Sequence, residues 1–140
     1  MKLLKIFFLF TLFVSIEAEP VNTGHAYVSL IKFNYQESEN KNSLIGIKMD
    51  MQKNWHTYWK NPGDSGGPIK IKWDTDENIK INEIKWPRPE LIPYEPLMTY
   101  GYKDFVIFPF EYIKKDSLNS KIKLNVDFLI CNDVCVPEKA

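Results

Sequence analysis

Two cysteines and two histidines are all the thiol and imidazole that 140 residues contain. Two cysteines cannot frame a disulfide-dense mini-scaffold. A zinc site built on both would need two further ligands, and only His25 and His56 are available to supply them. An excess of either charge is also missing, since 18 Lys and Arg balance 18 Asp and Glu. That balance offers no basic stripe to nucleic acid and no acidic tail. Beyond the N-terminus there is no apolar run of the roughly 20 residues a membrane helix needs, and no amphipathic helix of useful length.

The single long apolar run, "LLKIFFLFTLFV", follows the basic start "MKLLK" and leads into "SIEA", which ends at Ala18. This is the layout of a secretory signal peptide over residues 1–18. Ile16, two residues before the cut, is larger than cleavage sites favour, and an uncleaved anchor is the alternative. Removal of the leader takes away Lys2, Lys5 and Glu17, leaving 16 basic and 17 acidic residues over 122 positions. A near-neutral chain of that size suits one domain with its own core, residues 19–140. Export would place it in an oxidising compartment, the periplasm, where disulfides persist.

After the leader the apolar pattern has a period close to two. In "LIGIKMDM" (44–51), Ile45, Ile47, Met49 and Met51 share one face. In "IKIKW" (69–73), Ile69, Ile71 and Trp73 do the same. In "KIKLNVDFLI" (121–130) the face is Ile122, Leu124, Val126, Phe128 and Ile130. "YVSLIKF" (27–33) reads as a further strand, "IKINEIKW" (79–86) as a weaker one. "FVIFPFEYI" (105–113) is β-rich, with Pro109 predicting an edge position or a bulge. Such alternation marks half-buried antiparallel strands. The predicted class is all-β, an immunoglobulin-like sandwich of two sheets.

Two stretches read as long loops: 54–68, "NWHTYWKNPGDSGGP", and 86–104, with Pro87, Pro89, Pro93 and Pro96. Trp55, His56, Tyr58 and Trp59 fit anchors of the first loop to the sandwich, with a stacking platform for sugar or peptide as the alternative. "NPGDSGG" (61–67) lacks the lysine of a phosphate loop. It reads as turn chemistry, with Asp64 free to accept from nearby amides. Asn119-Ser120 reads as a hairpin corner.

Cys131 and Cys135 are separated by Asn132, Asp133 and Val134. On one strand they would lie roughly 13 Å apart, beyond disulfide reach. A hairpin with a three-residue connection brings them opposite each other, about 4.5–5.5 Å apart at Cα, within bonding range. As a staple the bond is weak, since a five-residue ring gives about 2 kcal/mol against about 4.7 for a hundred-residue loop. By strand phase Cys131 falls on the face opposite the core, with Leu129 and Asp127, and is expected to be accessible unless something covers it. Three readings stand at this point: an inert structural disulfide, a redox pair, or a metal site with Met49, Met51 and Met98 as soft donors for copper. Met49 and Met51 lie on the predicted core face, where Met is usually packing.

Together, "WHTYWKNPGDSG" (55–66), "IKWPRPELIPYEPLMTYGY" (84–102) and "LICNDVCVPEKA" (129–140) resemble the N-terminal periplasmic domain of the thiol:disulfide interchange protein DsbD, and in particular its ScsB-like branch. The resemblance implies an immunoglobulin-like sandwich with a redox pair, Cys131 and Cys135, at one end. It implies electrons arriving from a membrane-embedded reductase domain, in cis or in trans. They would leave for oxidised periplasmic isomerases or thioredoxin-like proteins, including those of cytochrome c maturation. On this reading the domain is the electron-transfer part of a protein-disulfide reductase that uses no cofactor and no metal and meets no nucleic acid. Thr99, Tyr100, Gly101 and Tyr102 match the family's cap loop, which shields the pair, although Thr99 stands where well-known members have phenylalanine. Family members continue with a further strand after the second cysteine and then with membrane regions. A truncated last strand, or a fragment of a membrane-tethered protein, is therefore expected. The pair has no adjoining Lys, Arg or His, and Asp133 disfavours a thiolate, which fits a site that reacts only when docked.

Overall fold

The computed structural model describes residues 18–33, 42–115 and 121–140. The predicted leader, apart from Ala18, and the predicted Asn119-Ser120 corner lie outside those residues. Eleven strands follow in chain order: β1 (Val21–Asn22), β2 (Ala26–Phe33), β3 (Asn42–Met51), β4 (His56–Gly63), β5 (Lys70–Thr75), β6 (Ile79–Ile81), β7 (Glu90–Tyr94), β8 (Leu97–Lys103), β9 (Phe105–Lys114), β10 (Ile122–Cys131) and β11 (Cys135–Lys139). They form two antiparallel sheets packed as a sandwich. One has the order β1-β2-β3-β9-β6. The other has the order β11-β10-β4-β8-β7, with β5 also pairing β10.

The core is the set of inward positions that the alternation marks. Ile45, Ile47 and Met49 of β3 stand opposite Phe110, Phe108 and Val106 of β9, and all six are buried. From the other sheet, Val126, Phe128 and Ile130 of β10 close on them, while Ile122 and Leu124 are only partly covered. A side chain sealed as fully as Ile47 or Phe108 contributes about 1.5–3 kcal/mol by leaving water.

Three expectations change. Residues 54–68 are not one loop, because β4 occupies His56–Gly63 and pairs with β8. Its β-favouring Thr57, Tyr58 and Trp59 win over the punctuation of Asn54 and Pro62. Residues 86–104 hold the β7–β8 hairpin, closed at Glu95-Pro96. Proline is tolerated there because β7 is the outermost strand of its sheet, where a missing donor breaks no ladder. Pro109 brings no bulge, since β3 and β9 keep continuous register from 105 to 113. Its carbonyl faces away from β3 and accepts from the Lys85 amide. That is the side on which β6 has already ended, so the proline costs no strand pairing.

A strand does follow the second cysteine. β11 pairs with β10 from Cys135 to Lys139, and Ala140 exchanges two backbone hydrogen bonds with Val126.

Candidate functional site

The end of β10 and the start of β11 form a hairpin whose last facing residues are Cys131 and Cys135. Asn132, Asp133 and Val134 make the connection, with the Asn132 amide donating to the Val134 carbonyl at 3.1 Å. The two sulfurs are bonded, S–S 2.05 Å, with Cα atoms 4.1 Å apart.

Register places this pair in a row that crosses four strands. Lys103 of β8 faces His56 of β4, His56 faces Cys131, and Cys131 faces Cys135. Directly opposed residues share one face of a sheet, so the row presents Lys, His and the disulfide side by side. Tyr58, two residues along β4, lies on the same face. Its hydroxyl donates to Cys131 Sγ at 2.8 Å and lies 3.3 Å from Cys135 Sγ.

The two cysteines differ sharply in access. Cys135 is exposed, whereas Cys131 is 2% exposed. The covering that the strand phase left open is present over Cys131. Strand phase does put it opposite the core, but that face is roofed. The sulfurs line a cavity of about 140 Å³ with His56, Tyr58, Ser65, Leu97 and Thr99. Asp64 holds the roof to β8: its amide donates to the Met98 carbonyl, and its carboxylate accepts from the Met98 amide. Gly66 has φ +83°, and a Cβ there would sit 2.2 Å from the Tyr58 ring, so the segment lies on that ring only as glycine. Asp64 and Gly66 thus act as turn residues, with the added consequence of covering Tyr58.

The matched cap residues are strand, not loop, in the middle of β8. Thr99 alone among them lines the sulfur cavity; it is buried, and its hydroxyl donates to the Ile92 carbonyl. Tyr100 is exposed and meets Trp59 edge-on. Gly101 lets β8 approach β4, since a Cβ there would lie 2.0 Å from the Thr57 carbonyl oxygen. Tyr102 is buried against Phe108, and its hydroxyl donates to the Pro87 carbonyl.

Burial pushes the Tyr58 phenol above its ordinary range, only partly offset by a hydrogen bond with Ser65. The hydroxyl therefore stays protonated beside the sulfurs. His56 goes the other way, held below the usual imidazole range first by burial and then by the Lys103 charge. Sequence reasoning placed His56 and Tyr58 in a loop and so missed both. Their spacing of two, opposite a strand that ends in Cys131, is the signal that finds them.

The candidate soft donors are not brought together. Met49 and Met51 pack in the core, while Met98 is exposed on the other sheet. His25 stacks on Trp55 with centroids 3.7 Å apart, and its Nδ1 is 2.5 Å from Glu138 Oε1. Among the described residues no three His, Cys, Asp or Glu side chains cluster as a metal site would require.

The fold resembles the crystal structure of the N-terminal periplasmic domain of ScsB from Proteus mirabilis, with a TM-score of 0.64 at 24% identity. The match covers 89% of this chain and 47% of that one, so the chain spans about half the length of the structure it matches. No curated protein matches the chain. Residues 28–140 match the family model described as thiol:disulfide interchange protein DsbD, N-terminal. With a disulfide-bonded cysteine pair at the end of a two-sheet sandwich and most of its length inside that match, the chain belongs to the DsbD N-terminal domain family.

Proposed function

We propose that the chain is a periplasmic thiol–disulfide exchange domain. It takes electrons from a membrane-embedded reductase partner and delivers them to oxidised periplasmic proteins through Cys131 and Cys135. The observation that carries this reading is the asymmetric exposure of one disulfide, with Cys135 open at a hairpin tip and Cys131 roofed. A passive staple needs no such asymmetry. Exchange does, because one sulfur must meet the partner and the other must wait to resolve the mixed disulfide.

In the reducing direction the Cys135 thiolate attacks a sulfur of the partner's disulfide, and the partner's other sulfur leaves as a thiolate. Cys131 then attacks Cys135 Sγ, regenerates the internal disulfide and releases the partner's second thiolate. Two electrons pass to the partner. Val134, exposed at the tip beside Cys135, supplies an apolar contact for docking. Shielding falls to Tyr58, Ser65, Leu97 and Thr99, with Tyr100 outside the lining. Family membership supports the reading of loading and delivery, and the leader-like pattern of residues 1–18 supports export.

Equilibration of the chain with glutathione buffers, read by alkylation and mass, tests the proposal. A redox pair titrates within the range of exchange proteins, about −120 to −270 mV. A potential far below about −300 mV marks a structural bond and removes the carrier role.

A further inference from the structure

Cys131 is roofed, yet each catalytic cycle must take the proton from its sulfur and return it. The groups around it are unequal to that task. The Tyr58 hydroxyl already donates to Cys131 Sγ, and burial keeps the phenol protonated. The Thr99 hydroxyl is engaged by the Ile92 carbonyl. Asp133, at the exposed tip, carries a negative charge that opposes a neighbouring thiolate.

His56 is placed differently. It is the register partner of Cys131, it is buried, and it lines the sulfur cavity. It also lines a second, wider cleft of about 430 Å³, with Lys53, Trp55, Lys103, Asp104 and Asp133. His56 thus borders both spaces, as do Asn132 and Asp133 of the hairpin, and of the three it alone carries an imidazole. Asn54 (φ 70°) and Asp104 (φ 59°), both lining that cleft, hold left-handed backbone that non-glycine residues seldom adopt.

We propose that His56 accepts the proton of the Cys131 thiol during resolution of the mixed disulfide and passes it to the cleft. This rests on the exchange reading given above. In the step, the Cys131 S–H proton moves to the imidazole and the thiolate attacks Cys135 Sγ. The bond between Cys135 and the partner's sulfur breaks, the partner's thiolate leaves, and the imidazolium releases its proton to solvent. Burial and Lys103 keep the ring neutral at rest and ready to accept, and the same cation hastens the release. The charged and titratable groups around the ring are Lys103 and Asp104 from β8 and the turn after it, Tyr58 from β4, Lys53 before β4, Asp133 from the hairpin, and the two thiols.

The test follows the reduced chain reacting with Ellman's reagent by stopped flow across pH 5–9. The first equivalent of thionitrobenzoate reports attack by Cys135, and the second reports closure by Cys131. His56→Gln is expected to slow the second release by about a hundredfold, the low end of what a positioned base contributes, while sparing the first. The pH inflection of the second release should vanish. Lys103→Met, which leaves the ring in place, should move that inflection to higher pH. A second release in His56→Gln that matches the wild type, or that slows only as much as the first, overturns the proposal. If His56→Gln does not fold, an unmoved inflection in Lys103→Met overturns it. A wild-type chain that reacts with the reagent but never closes refutes the exchange reading itself, and this inference with it.

Discussion

The hydroxyl of Tyr58 has hydrogen-bonding reach to both sulfurs, at 2.8 and 3.3 Å. A neutral sulfur is a weak acceptor, so in the oxidised state the contact mainly sets direction. Once Cys131 carries charge, the same hydroxyl faces an anion on a largely buried sulfur. A hydrogen bond to a charged group contributes about 1.5–3 kcal/mol. Tyr58→Phe keeps the ring on which Gly66 rests and removes only the donor. It should therefore slow closure of a Cys135 mixed disulfide by about tenfold, measured by quenched-flow alkylation, with little change in thermal midpoint. An unchanged closure rate would leave the hydroxyl as packing alone. His56 adds a pH dependence of stability with a definite sign. Its folded-state affinity for protons is lower than in the unfolded chain, so stability falls as pH drops through the ordinary imidazole range near 6.5. His56→Gln should flatten that fall in urea midpoints taken between pH 8 and pH 5.

Among the strands, β11 depends most on what lies beneath it. Glu138 is buried within that five-residue strand, and its carboxylate accepts from the Thr23 hydroxyl and from the His25 amide and ring. Those partners belong to the turn between β1 and β2 in the opposite sheet, so one side chain ties the strand carrying Cys135 across the sandwich. Glu138→Ala removes the acceptor of the His25 amide together with the contacts to the Thr23 hydroxyl and the His25 ring, and a buried donor left without its partner costs about 1–3 kcal/mol. Urea unfolding should show that loss, and Cys131 in the reduced variant should alkylate faster as β11 loosens. Strands whose inner face is continuous, β3 and β10, were legible in the sequence because Ile45 to Met51 and Ile122 to Ile130 alternate without interruption. β4, β7 and β8 were not. Their polar and proline-bearing positions are stabilised by neighbours distant in sequence: Thr57 donates to the Leu129 carbonyl, and Pro93 sits on an edge. The candidate site split the same way. Spacing and strand phase were enough to pair Cys131 with Cys135. The roof over Cys131 is contributed by residues 58, 65, 97 and 99, and no local pattern announces it.

For the whole molecule the question is whether the sandwich needs its disulfide, because a carrier must remain folded in both oxidation states. The core is closed by Ile47, Met49, Phe108, Val126 and Ile130, each essentially sealed from solvent, and all but Ile130 lie away from the hairpin turn. β11 is held independently of the sulfurs, through five paired positions on β10 and the Glu138 contacts. The bond closes only a five-residue ring, which in the chain-entropy account stabilises by about 2 kcal/mol, against a net stability of about 5–15 kcal/mol for domains of this kind. Reduction with excess dithiothreitol should therefore lower the urea-derived stability by about 2 kcal/mol or less. It should also leave the near-ultraviolet dichroism of the Trp73–Phe110 and Trp86–Phe108 contacts in place. Loss of that signal at neutral pH without denaturant would make the disulfide a staple. A staple that unfolds its domain on opening cannot deliver electrons and be recharged, so the same measurement bears on function as directly as on stability.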